Sequence, residues 1–320
     1  MNKKSLPGFI SLAIILLAGF LVWQNRFEIY DWAKLRNYQP SAQISGIATA
    51  SGMNNTGRKL FYVNDPRISD RQEFQTECNN DKEQTIVLGC YTGTNIYVFD
   101  VTDERLSGVE EVTAAHEMLH AAYDRLSSSE KKKVDMLTQQ AFDRVSNPRI
   151  SSLIESYRKA DPGVVPNELH SILGTEVANL GPELEEYYAK YFTDRNKVLS
   201  ASQAYEKVFA DLHNQVEKYD ADLSLRKSEI NRLELELNQQ SAELAITKKQ
   251  MEQYLKSGQT GLYNALVPKY NGQVESYNSQ VANYKSLLEE YNQLVVARNN
   301  VAVEQQGLAE SLDSRVDAIK

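Results

Sequence analysis

The sequence is poor in the residues that build the common metal and redox sites. It has only two cysteines and four histidines among 320 residues. Two cysteines with no histidine near them are a poor zinc-ligand set, and they exclude a disulfide-rich scaffold. Any site built on imidazole must therefore use one of very few positions, so the place of each histidine is informative.

An excess of basic residues is also missing. The chain carries 43 acidic and 35 basic residues, for a formal net charge of -8. Proteins that bind nucleic acid carry a basic patch or stripe, so nucleic acid is excluded as the expected partner. The charged share of 24% is ordinary for a soluble protein.

Long apolar runs are absent except at the N-terminus. The run from Leu6 to Trp23 carries no charge, and about 18 apolar residues are enough to span a bilayer. Lys3 and Lys4 precede the run, and no small-x-small cleavage pattern follows it. We predict an uncleaved signal anchor, with a cleaved signal peptide as the alternative. The two lysines favour a cytoplasmic N-terminus, a single-pass cell-membrane protein and an extracytoplasmic bulk.

The two cysteines, Cys78 and Cys90, both lie in the part predicted to be exported. An oxidising compartment and the short loop between them permit a disulfide. We therefore predict a disulfide, and two buried thiols are the alternative.

Two of the four histidines fall in the stretch His116-Glu117-Met118-Leu119-His120, which reads H-E-x-x-H. Neither proline nor glycine occurs from residue 112 to 123, so a helix is permitted there. In a helix, side chains four residues apart share a face, and both imidazoles can reach one Zn²⁺ ion. Glu117 flanks that face, where a carboxylate can take a proton from water on the metal.

This stretch resembles the metal helix of the zincin metallopeptidases. The resemblance implies a zinc hydrolase in which Glu117 is the catalytic general base. It also implies a small sheet before the metal helix, and candidate strands are present at 59–63, 85–88 and 95–101. In zincins an edge strand beside the site binds extended peptide by strand addition. Residues 96–101 are our candidate for that strand, and an ordinary core strand is the alternative.

A third metal ligand is needed, and the segment from Pro166 supplies candidates. Asn167-Glu168-x-x-Ser171, followed by Gly174-Thr175, is similar to the glutamate helix of thermolysin-like gluzincins. That resemblance implies Glu168 as the third ligand, with Glu176 and then His170 as alternatives. The position where the family usually has an aspartate that orients a ligand histidine holds Ile172.

Tyrosines cluster shortly after the glutamate segment. Zincins of this type stabilise the oxyanion with a tyrosine or histidine beside the metal. Tyr187, Tyr188 and Tyr191 are candidates for that role, and the packed core of an amphipathic helix is the alternative for each.

Two heptad arrays fill the C-terminal part of the chain. Apolar residues recur every seven positions from Phe209 to Met251, and tyrosines recur every seven positions from Tyr263 to Tyr291. Residues 257–261 interrupt the pattern, which predicts an antiparallel coiled-coil hairpin. The tyrosines are interpreted as seam packing. The hairpin is expected to be a spacer, a docking site for a protein partner or an element of self-association.

Together these features predict an α+β, predominantly α chain. We expect a membrane-anchored zinc metallopeptidase with a protein or peptide substrate. A non-catalytic adaptor with a zincin-like binding domain and a structural zinc domain are the alternatives. The predicted parts are a cytoplasmic tail (1–5), a transmembrane anchor (6–24), a juxtamembrane stalk (25–45), a zincin-like domain (46–195) and the coiled-coil hairpin (196–320).

Overall fold

The computed structural model describes residues 6–78 and 87–315. The described chain is mostly helical and contains one three-stranded sheet, which confirms the α+β, predominantly α class. It forms two compact units, one made of the chain up to Val208 together with the chain from Leu308, and one made of Phe209–Gly307. These boundaries differ from the predicted ones, because the end of the chain returns to the first unit. The predicted cytoplasmic tail lies outside the described residues.

The first unit contains short helices, the sheet and the candidate site. Its elements, in chain order, are α1 (Leu6–Gln24), α2 (Arg26–Leu35), α3 (Ala42–Ala50), α4 (Asn55–Val63), β1 (Arg67–Ser69), α5 (Arg71–Glu77), β2 (Gly89–Tyr91), β3 (Ile96–Phe99), a 3₁₀ turn (Glu104–Leu106), α6 (Val109–Asp124), α7 (Ser128–Phe142), α8 (Pro148–Ala160), α9 (Val165–Glu176), α10 (Pro182–Tyr188) and the start of α11 (Asn196–Lys256).

Within the described residues, no single helix combines the length and the apolar character needed to cross a bilayer. The stretch Leu12–Gln24 and the following helix α2 meet both requirements only as a pair, and a bend of 63° separates them.

The segment 25–45, predicted as a juxtamembrane stalk, contains helix α2 and the start of α3. Helix α2 occupies ten of its residues, and the side chain of Asp31 is buried against the rest of the first unit. The guanidinium of Arg125 binds this carboxylate with two hydrogen bonds of 2.8 Å, and the Lys59 ammonium lies 3.2 Å from it. The attraction of two cationic partners offsets the desolvation penalty of a buried carboxylate, and loss of a partner would leave it uncompensated. These contacts therefore tie α2 to the fold.

The predicted strand at 59–63 is wrong, because those residues end helix α4. The side chain of Asn54 accepts hydrogen bonds from the N–H groups of Thr56 and Gly57, which caps the helix. Leu60 and Phe61 are buried on its inner face. A short run of large apolar residues fits either a strand or the buried face of a helix, and here the N-cap decides.

The sheet has the order β1-β3-β2. Strand β3 is parallel to β1 and antiparallel to β2, and all four of its residues are buried. The prediction that residues 96–101 form an edge strand is therefore wrong, and the alternative of a core strand is correct. A continuous apolar run is typical of a strand covered on both faces. Of the predicted strand 85–88, residues 85 and 86 lie outside the described part, and the strand that is present begins at Gly89.

Strand β2 is the edge strand, and two connections hold it. Cys90, its middle residue, forms a disulfide with Cys78 at the end of α5. The hydroxyl of Ser314, near the end of the chain, donates a hydrogen bond of 2.7 Å to the carbonyl of Val87. Strand β2 is thus attached both to the sheet domain and to the returning C-terminal segment.

The second unit is an antiparallel helical hairpin, as predicted. Its helices are α11 and α12 (Thr260–Ser311). Arg298 pairs with Asp220, and Arg226 pairs with Glu290, so positions later in α12 meet positions earlier in α11. The five tyrosines of the second heptad array are half-buried, which agrees with seam packing rather than with an exposed binding stripe.

Candidate metal site

Helix α6 carries the H-E-x-x-H stretch and is buried along most of its length. It follows Gly108, whose φ of +101° lies in the left-handed region that favours glycine. Because the helix is regular through the motif, the rings of His116 and His120 lie side by side, with centroids 4.6 Å apart. Both ring Nε2 atoms point toward α9, as the distances below show.

Helix α9 brings Glu168 to the two histidines. Gly174 allows the close approach of the two helices, since a Cβ there would lie 2.5 Å from Cδ1 of Leu119. Oε2 of Glu168 lies 3.5 Å from Nε2 of His116, and Oε1 lies 3.6 Å from Nε2 of His120. The three side chains retain 11–18% exposure, so the cluster is reachable from solvent.

The cluster has the geometry and chemistry of a metal site. One ligand atom from each residue lies within 4.8 Å of the others. Atoms about 2.1 Å from one tetrahedral ion are about 3.4 Å apart, close to the observed carboxylate–imidazole distances. Oε2 of Glu168 is buried and has no hydrogen-bond partner among the described residues, as expected of an atom that binds a metal ion. His116, His120 and Glu168 could therefore hold a metal ion.

The charge state of Glu168 suits this role. Burial raises the pKa of its carboxyl, but the interactions with the nearby His116 and His120 side chains outweigh burial. The net shift of the pKa is downward from its ordinary value. The carboxylate form, which is the form that binds metal, is thus the favoured one.

The other two predicted ligands lie elsewhere. The carboxylate of Glu176 pairs with Arg149. His170 is fully buried, and its Nε2 lies 2.9 Å from the hydroxyl of Tyr187. Burial, together with the nearby charges of His120 and His116, lowers the pKa of His170 to about 3, so it is a neutral core residue.

Of the three tyrosines considered for the oxyanion, Tyr187 and Tyr188 pack against His170, and Tyr191 packs against Tyr187. The hydroxyl of Tyr188 donates a hydrogen bond of 2.7 Å to the His170 carbonyl, and the hydroxyls of Tyr187 and Tyr191 lie 3.4 Å apart. All three side chains are buried. Their contacts are those of a helix core, which was the alternative interpretation.

Two residues that contact the site were not singled out for this role from sequence. The hydroxyl of Ser171 lies 3.2 Å from Nδ1 of His120, and Tyr157 of α8 hydrogen-bonds the Glu168 carboxylate. Ser171 belongs to the N-E-x-x-S stretch, so its motif was visible although its contact was not. Ile172, at the place of the family's orienting aspartate, is instead packed in the core with Ile150 and Ile154.

Replacing Ser171 should weaken metal binding. If Nε2 of His120 binds the ion, Nδ1–H donates to the serine hydroxyl, which fixes the ring's tautomer and orientation. We expect Ser171→Ala to lower zinc affinity by about 10–100-fold, measured by competition with a chelating dye. Ser152→Ala, an exposed serine of α8, is the matched control and should bind zinc normally. Equal affinity in both variants would remove Ser171 from the site.

Strand β2 lies directly beside Glu117. A Cβ on Gly89 would lie 2.9 Å from Oε1 of Glu117 and 2.5 Å from Cγ2 of Thr113, so only glycine lets the strand come this close. The N–H of Phe99 donates to the carbonyl of Leu88 at 2.8 Å. By the alternation of antiparallel pairing, the backbone groups of Gly89 and Tyr91 face away from β3. Within the described residues no strand pairs with this edge, and the hydroxyl of Ser314 binds the carbonyl of Val87 at its start.

Comparisons of this chain with protein-family models, with curated proteins and with solved structures found no match.

Proposed function

We propose that this protein is a zinc metallopeptidase, held at a membrane by its N-terminal helix with its bulk outside the cytoplasm. The observation that carries the proposal is the meeting of His116, His120 and Glu168 beside Glu117 and beneath an open strand edge. A metal-ligand set alone would fit a structural site. The adjacent carboxylate and the open edge favour catalysis on a peptide.

The donor set favours zinc. Two imidazole nitrogens and one carboxylate oxygen are a ligand set that catalytic Zn²⁺ takes, and three protein ligands leave one position open. Zinc supplies a Lewis acid that polarises the peptide carbonyl and lowers the pKa of a bound water toward 7. Ser171 and Tyr157, which contact His120 and Glu168, would keep these ligands oriented.

Glu117 would carry the proton. It precedes Met118 on the same helix as both imidazoles, and its side chain is only 5% exposed. A carboxylate in that place can take a proton from the attacking water and then deliver it to the leaving amine nitrogen. Bond cleavage is balanced by this transfer, since water supplies the new carboxyl oxygen and both protons.

The substrate would bind as an extended segment along β2. The outward backbone groups of Gly89 and Tyr91 can pair with a peptide strand, which is the β-augmentation mode. Because Gly89 lies against Glu117, a peptide paired there would pass over the catalytic carboxylate. The role expected for residues 96–101 thus falls to β2.

Metal removal tests the proposal. The full chain in lipid should cleave an unfolded protein such as casein, lose cleavage with o-phenanthroline, and regain it when zinc is added back. The non-chelating isomer m-phenanthroline is the control for inhibition by the ring system itself. Cleavage that survives complete removal of metal would contradict a zinc peptidase.

A second candidate function is that of an adaptor. The hairpin unit exposes several large apolar side chains, which a partner could cover. The exposed apolar side chains of the hairpin are Leu225, Leu235, Ile246, Val296 and Val303. If the purified chain holds zinc but cleaves no peptide under any condition, the adaptor function is favoured.

A further inference from the structure

Helix α2 has one face in the protein and one face outside it. Asp31 is buried and Phe27 is half-buried on the inner face. Ile29 is 48% exposed and Trp32 is 66% exposed. At about 100° per residue, Ile29 lies nearly opposite Asp31, and Trp32 lies on the flank of the helix about 100° from it. A tryptophan and an isoleucine exposed on a docked helix are unusual for a surface that meets only water.

The unneutralised charges of this helix are all positive. Glu28 and Asp31 pair with Lys59. Arg26, Lys34 and Arg36 have no carboxylate partner among the described residues, and they lie over aromatic rings instead. Arg36, for example, lies 5.7 Å from the ring centroid of Trp32. Exposed aromatics flanked by free cations are typical of a helix at an anionic membrane surface.

The preceding segment gives the orientation. The exposed side chains from Leu12 to Val22 are almost all apolar, and α2 follows them after a bend of 63°. If the first segment follows the bilayer normal, α2 lies within about 30° of the membrane plane, as an interfacial helix does. Trp23 and Trp32 then both lie at the depth where tryptophan is enriched.

We infer that α2 binds the headgroup region of an anionic bilayer through Ile29, Trp32 and its three free cations, and thereby fixes the metal site close to the membrane. The part of the inference that concerns the site rests on the proposed peptidase function. The partner is a lipid surface rather than a protein, because α2 continues an apolar segment and the charges of α2 that lack an ion-pair partner among the described residues are all positive.

The buried ion pair between Asp31 and Arg125 links α2 to helix α6, which carries two of the metal ligands. Arg125 follows the last residue of α6 and binds Asp31 through both guanidinium Nη atoms. His120 precedes Arg125 by about 8 Å of helix rise. The metal ligands therefore lie on the order of 20 Å from α2, a distance that about six residues of extended chain can span. The substrate class is then a peptide segment near the membrane surface, such as the juxtamembrane part of another membrane protein.

Fluorescence tests the docking of α2 without any need for catalysis. Trp23 and Trp32 are the only tryptophans, so Trp23→Phe in the full chain leaves Trp32 as the single reporter. In vesicles, lipids brominated near the headgroup should quench Trp32 strongly, while aqueous iodide should not. Quenching by iodide alone would overturn the inference, and so would protection from both quenchers, which would indicate a protein partner.

A second experiment tests whether the docking of α2 depends on anionic lipid. Quenching by brominated lipid should be stronger in vesicles that contain phosphatidylglycerol than in purely zwitterionic vesicles. Arg26→Gln, Lys34→Gln and Arg36→Gln together should abolish that difference. Arg158→Gln, which removes an exposed charge far along the chain, should retain it. Equal dependence on anionic lipid in both variants would contradict the assigned surface.

A series of peptides with spacers of different length tests the distance of the metal site from the bilayer. Peptides tethered to vesicle lipids should be cleaved fastest when about six residues separate the scissile segment from the bilayer, and more slowly when the spacer is much longer. Equal cleavage rates at all spacer lengths would contradict the inferred distance of the metal site from the bilayer. If no tethered or free peptide is cleaved while Trp32 is still quenched by lipid, the proposed peptidase function fails and the membrane docking stands.

Discussion

Glu117→Gln should abolish most peptide cleavage while leaving the metal in place. The amide has the size of the carboxylate but cannot accept the proton from the attacking water, and the loss of a general base costs about 10²–10⁴-fold in rate. Glu117 is not one of the clustered ligands, which are His116, His120 and Glu168. The variant should therefore bind zinc as the wild type does, measured by elemental analysis alongside kcat/KM.

A matched control lies on the same helix. Glu111→Gln makes the same chemical change in the first turn of α6, away from the ligand cluster, and should retain both zinc and activity. If Glu117→Gln cleaves peptides at the wild-type rate, the assigned general base is wrong. If it loses zinc together with activity, Glu117 acts in metal binding rather than in proton transfer.

Glu168→Gln should lose the metal itself. A neutral amide replaces the anionic ligand whose oxygens lie 3.5 and 3.6 Å from the two imidazoles. Altering an outer-shell partner costs about 10–100-fold in metal affinity, so loss of a direct ligand should exceed about 100-fold. Activity should fall in parallel and should recover in part at high zinc concentration.

Glu176→Gln is the control for the same helix. Its carboxylate pairs with Arg149, and Arg149 also pairs with Glu206, so one partner remains after the change. This variant should bind zinc with wild-type affinity. The reverse result, with zinc lost in Glu176→Gln and kept in Glu168→Gln, would contradict the assigned ligand set.

Local sequence rules predicted the helices of the site well. The spacing of His116 and His120 and the absence of helix breakers placed both imidazoles on one face, and α6 has that geometry. Pro166 marked the start of α9, which begins at Val165. Ser127 and Glu130, three residues apart, form a capping box at the start of α7. Each of these features depends on contacts within one turn of helix, so a single sequence contains the information.

The rest depends on contacts between distant parts of the chain. The runs at 85–88 and 95–101 were both predicted as strands, and only the pairing with β1 makes β3 central. The bond from Ser171 to His120 spans 51 residues, and Asp31 meets Arg125 across 94. No local pattern marks such partners, which is why the docking of α2, the identity of the edge strand and the residues that orient the ligands were not predicted.

The most direct test of the central claim is cleavage in water enriched in oxygen-18, read by mass spectrometry of the fragments. The account predicts that the zinc-loaded protein releases fragments whose new carboxyl end carries one heavy oxygen, because Glu117 directs water onto the carbonyl. Metal-free protein and Glu117→Gln should release almost none. A fully zinc-loaded wild-type chain that produces no labelled fragment would contradict the account.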